Sequence, residues 1–155
     1  MIITTADSIV DQIVSELQAA IAAEFGFSMP FTVAAREKPD FELIQCVDNT
    51  TIYVSAAPNV MLTRSSRDNI DQDILIGIGV LKKLKMDETG NPNQAEFREL
   101  KSLMQALFIW SHVGISGYTG KAKNVAIPAW YDLSKAITGS FLSVVTMVYQ
   151  TKFSP

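Results

Sequence analysis

Few residues of this chain have the types and spacing that chemistry requires. Residues 114–121 read Gly-Ile-Ser-Gly-Tyr-Thr-Gly-Lys and end in the Gly-Lys pair of a phosphate loop. Such a loop also needs a glycine five residues before that pair and a serine or threonine after the lysine. Ile115 and Ala122 stand at those positions, and the stretch follows an expected helix rather than a strand. It reads as a loop carrying Lys121 and Lys123. His112 and Cys46 are the only residues of their kinds. A nucleophilic pair between them has no motif behind it, and a metal site draws on several such ligands. Cys46 reads as a small core hydrophobe, and His112 as a cation at a helix C-terminus. Asp68, Asn69, Asp71 and Asp73 imitate the start of a calcium loop. The glycine at position six and glutamate at position twelve are replaced by Asp73 and Gly79, so a solvated turn is the better reading. Arg64, Arg67, Lys82, Lys83 and Lys85 form the densest basic group. They flank one expected strand at both ends, without the interleaved aromatics that stack bases, and read as solubilising charge. No catalytic residue, metal site or cofactor is therefore expected, and the chain reads as a non-enzyme that works by assembly.

Elements must position whatever surface does that work. Residues 6–25 predict a helix, because Ile9, Val10, Ile13, Val14, Leu17, Ile21 and Phe25 recur at three- and four-residue steps. Thr5 or Asp7 can cap it, and Gly26 can end it. Short strands are expected over 31–36, 41–47, 51–55 and 60–63, divided by Pro39-Asp40, Asp48-Asn49 and Pro58-Asn59. Residues 64–69 are wholly polar and predict an exposed loop. The strongest strand is 72–84, where Ile74, Ile76, Ile78 and Val80 alternate onto one face. Gly77 and Gly79 on its other face predict a close approach or a bulge. Lys82, Lys83 and Lys85 are expected to lead the chain to solvent. A polar loop over 86–93 precedes a second long helix, 94–113. Then come a glycine-rich loop over 114–124, a short strand over 125–127, an ambiguous stretch over 130–137, and a last strand over 140–151. That strand is apolar on both faces, so it is central or covered by a partner. The order predicts an α+β fold, a mixed or antiparallel sheet with two long helices packed on one face.

The chain has 155 residues, of which 48% are hydrophobic and 19% charged, and its mean hydropathy is +0.18. One domain over 1–155 is expected. The low charge favours a subunit interface over a tightly packed monomer, since apolar surface needs covering. Thirteen basic against sixteen acidic residues lack the footprint of a nucleic-acid binder. One cysteine excludes an internal disulfide. Neither a signal peptide nor a membrane span is read from the sequence.

The segment 71–84, Asp-Gln-Asp-Ile-Leu-Ile-Gly-Ile-Gly-Val-Leu-Lys-Lys-Leu, resembles a strand of the tail terminator and neck proteins of tailed bacteriophages. The features after it also resemble that family: a helix with Glu96, Leu100, Leu103 and Leu107, a short 125–127 segment, Trp130-Tyr131-Asp132-Leu133, and a final strand from Phe141 to Tyr149. The N-terminal helix matches in place and size. The resemblance covers most of the chain as patterns of residue type. It implies a hexameric ring that caps the tail tube, ends its polymerisation and joins tail to neck, contacting a tail tube protein and a neck or connector protein. DNA would pass through the lumen without specific binding. The expected location is the virion, after assembly in the host cytoplasm. The resemblance carries no catalytic residues. Candidate partner-contact positions are Arg64, Arg67 and Asp68 in the first polar loop, and Lys121 and Lys123 in the second. The alternatives are another neck or head-completion protein, a ligand- or peptide-binding module with 114–124 as a lid, and a small enzyme using Cys46.

Overall fold

The computed structural model describes residues 5–64, 70–113 and 120–153. Helix α1 spans Ala6–Ala23. Thr5 and Ser8 begin it with a reciprocal capping box: the Thr5 hydroxyl accepts from the Ser8 amide at 3.2 Å, and the Ser8 hydroxyl accepts from the Thr5 amide at 3.1 Å. Gly26, at φ +66°, turns the chain away after the helix. Strand β1 (Phe31–Ala35) follows, then a 3₁₀ turn at Phe41–Leu43, strand β2 (Thr50–Arg64) and strand β3 (Ile70–Lys83). Helix α2 covers Gln94–Val113, strand β4 Gly120–Ala126, the short helix α3 Leu133–Ile137, and strand β5 Ser140–Phe153.

The five strands form one mixed sheet in the order β1-β2-β3-β5-β4. β1 lies parallel to β2, and every other pair is antiparallel. Register fixes the faces. Ile52 pairs with Val80 and Val54 with Ile78, while Ile78 pairs with Val145, Ile76 with Met147 and Ile74 with Tyr149. All of these point to the same side and are buried with Ile9, Ile13, Leu17 and Ile21 of α1 and Leu100, Leu103, Met104 and Leu107 of α2. The two long helices thus pack on one face of the sheet, as the periodicities of the two element types require.

Three local expectations are corrected. Residues 41–47 do not form a strand, because Phe41 is drawn down onto the sheet by a 3₁₀ turn and Asp40 caps nothing with its side chain. The expected strands 51–55 and 60–63 are one strand with a bulge, in which residues 57–59 of β2 face Leu75 of β3. Pro58 lies within that bulge, one of the few places a sheet tolerates a residue without an amide hydrogen. The expected loop over 114–124 is partly strand: β4 starts at Gly120, and its register shifts between Lys123 and Ala126 at Asn124, which adopts φ 53°.

Candidate interaction surface

The face of the sheet away from α1 and α2, hereafter the helix-free face, carries apolar surface. On β3 it presents Gly77, Gly79 and Leu81, and on β5 Leu142, Val144, Thr146 and Val148. Phe41 covers the glycine pair. A Cβ at Gly79 would lie 2.6 Å from Phe41 Cδ1, and one at Gly77 would lie 3.1 Å from Cε2. Phe41, Leu81 and Leu142 make a small second core with Cys46 and Tyr53 packed against it. The close approach expected at the glycines is therefore an aromatic ring.

The chain over this face is braced. Arg36 donates from Nη2 to Asp40 Oδ1 at 2.8 Å and from Nε at 2.9 Å, and its guanidinium lies 5.6 Å from the Tyr53 ring centre. The Arg36 hydrogen bond holds the Asp40 carboxyl below its usual range. Lys135 of α3 donates to the Glu42 carbonyl at 3.0 Å, tying α3 to the 3₁₀ turn. Asp132 caps α3 by accepting from Ser134 Oγ and the Lys135 amide, which depresses its pKa. Beyond Phe41 the face opens into a shallow apolar groove of about 190 Å³, bounded by Pro39, Ala57, Leu75, Val144 and Thr146. Leu75 is 46% exposed there.

Among the described residues, the sheet also has a bare end. β1 covers β2 only from Thr50 to Val54. Met61 and Leu62, further along β2, project to opposite faces and are 67% and 63% exposed.

Of the sequence-predicted contact residues, Arg64, Lys121 and Lys123 fall near this end, on strands rather than in loops. Arg64 ends β2 and is registered against Ile70. Lys121 and Lys123 lie on edge strand β4, opposite Gln150 and Val148. Lys123 reaches across β5 to Asp73 of β3, with Nζ 3.1 Å from Oδ2. Arg67 and Asp68 lie outside the described residues, as do residues 114–119 of the 114–124 stretch considered as a lid.

Lys82 was expected at the surface with Lys83 and Lys85. It is buried instead, because it continues the inward series Ile74, Ile76, Ile78, Val80. Its ammonium pairs with Glu96 at 3.2 Å and donates to the Lys83 carbonyl at 3.1 Å. Glu96 Oε1 also accepts from the Lys85 amide, and Asn93 caps the helix by accepting from the Glu96 amide. This pair pins the start of α2 to the end of β3. The signal for it in the sequence is the alternation, with which Lys82 is in phase.

His112 Nδ1 meets the Phe108 carbonyl at 2.8 Å near the end of α2. Cys46 is half-buried, with Sγ 3.8 Å from the Phe141 carbonyl. Each is thus engaged locally, on the helix and on β5 respectively. Among the described residues, no three His, Cys, Asp or Glu side chains gather as metal ligands, and no helix is long and apolar enough to cross a membrane.

No protein-family model matches this chain, and no characterised protein matches it in sequence.

Proposed function

We propose that this chain is a structural subunit that closes into a ring at the head–tail junction of a tailed phage, capping the tail tube and joining it to the neck. Its partners in this reading are further copies of itself, a tail tube protein and a neck protein, and DNA crosses the lumen without being gripped. The ring is part of the virion and does no catalysis. The observation that carries the reading is the sheet's helix-free side, where a braced apolar groove meets a strand whose two faces are both exposed at Met61 and Leu62. A ring needs different surfaces on the two sides of each subunit, meeting head to tail. Apolar area of this kind is what a neighbouring subunit removes from water. The order and spacing of elements along the chain point the same way.

Native mass spectrometry across a concentration series, with negative-stain images of the same samples, tests the ring. Closed rings of about six copies are expected, six being the number the resemblance implies. A monomer at every concentration overturns the preformed ring. Adding the protein to matching tail tubes then separates a terminator from another neck protein: a terminator fixes tube length, and another neck protein leaves it unchanged.

A further inference from the structure

Among the described residues the distal half of the sheet has two bare edges, and they suit each other. Along β2 beyond the bulge, one side of the backbone pairs with β3 from Val60 to Arg64. Among the described residues no strand pairs with the other side, since β1 stops at Val54. At the opposite edge of the same region β4 pairs with β5 from Gly120 to Ala126, and its outer side is likewise the end of the sheet. An uncovered row of amides and carbonyls is a template for another strand. Proteins usually blunt such an edge with charge; β4 carries Lys121 and Lys123, whereas Met61, Leu62 and Thr63 on β2 are all exposed and uncharged.

We propose that the β2 edge of one copy receives the β4 edge of the next, so that the sheets run continuously from subunit to subunit. Strand direction supports a second copy as the occupant. From β2 to β4 the strands alternate strictly, so β4 runs opposite to β2. Rotation about an axis along the strands preserves both directions, and the β4–β2 junction is then antiparallel like its neighbours. Charge agrees as well. β4 carries Lys121 and Lys123, and β3, one strand inside the β2 edge, carries Asp71 and Asp73. Lys123 already spans one intervening strand to reach Asp73 within its own chain, so a lysine on an added strand beside β2 is within the same span of β3. Both edges of the distal sheet are used up in this arrangement, which leaves no template for uncontrolled growth. The inference rests on the ring reading and specifies its contact.

Cysteine pairing tests it in a Cys46→Ser background. Copies carrying Met61→Cys or Leu62→Cys are mixed with copies carrying Lys121→Cys or Ala122→Cys, then oxidised mildly. Facing strands bring Cα atoms within disulfide reach, and the four combinations sample both faces. The expected result is a crosslink between a β2 cysteine and a β4 cysteine, in the same samples whose native masses show oligomers. Crosslinking only between two β2 cysteines overturns the proposal in favour of two-fold pairing. Oligomers without any β2–β4 crosslink overturn the edge contact and leave the ring standing, whereas monomers throughout overturn both. As a second measurement, Leu62→Lys should lower the oligomer fraction at least tenfold while the circular dichroism spectrum stays that of the parent. An unchanged oligomer fraction overturns the proposal.

Discussion

The ring of Phe41 rests directly on the backbone of Gly79, so close that a methyl group there would sit 2.6 Å from Cδ1. Neither residue can change alone without disturbing the other. Gly79→Ala is expected to destabilise the fold by about 1–3 kcal/mol, the usual cost of overpacking. Phe41→Ala loses the buried ring and is expected to cost about 3 kcal/mol or more. Because they share one contact, the double variant should be more stable than the sum of the two predicts. Urea denaturation of the four proteins measures this, and strict additivity would show that the ring does not depend on the glycine.

Lys82 and Glu96 form a buried pair, so removing one charge strands the other. Lys82→Met is expected to cost about 3–5 kcal/mol. Replacing both, as Lys82→Met with Glu96→Leu, should recover part of that loss, although the Lys85 amide then loses its acceptor. Chemical denaturation reads both effects.

Glu99 accepts from the Ser28 hydroxyl and amide, each at 2.6 Å, and these bonds hold its carboxyl below the usual carboxylate range. A carboxyl depressed in the folded state stabilises it above the unfolded pKa and loses that contribution as pH falls through the folded value. Stability should therefore decline below about pH 4.5, more steeply in the parent than in Glu99→Gln. Thermal melts between pH 3 and pH 6 provide the comparison, and parallel curves would remove Glu99 from the account.

The hydroxyl of Ser55 is buried and has no hydrogen-bond partner among the described residues. Ser55→Ala removes a desolvated polar group while keeping the small volume beside Gly77. It is expected to be neutral or to stabilise by up to about 1 kcal/mol. A loss larger than that in urea denaturation would reveal a hydrogen bond.

The legible parts of this molecule were those governed by period. Ile74 to Val80 declared their common face, the two long helices declared their apolar stripes, and Gly77 and Gly79 announced a close neighbour. What filled the space above them was not legible, because the 3₁₀ turn at Phe41 is held by contacts with strands far along the chain. Residues 41–47 carry strand-forming types, and tertiary packing overrode that local preference. Lys82 was misplaced for a related reason: its residue type argues for solvent, and only its partner Glu96 makes burial tolerable. The edge positions of β2 and β4 follow from strand order, which no local pattern encodes.

The insertion of β5 between β3 and β4 has a consequence for how the molecule is made. β5 follows the other four strands in sequence but occupies an inner place in the sheet. Until residues 140–153 leave the ribosome, β3 has a partner on one side only and the seat beneath Phe41 is half built. A chain interrupted before Ser140 holds its most hydrophobic strand open, a strong target for chaperones, proteases and aggregation. The sheet can therefore close only once Ser140–Phe153 has been made and has docked between β3 and β4.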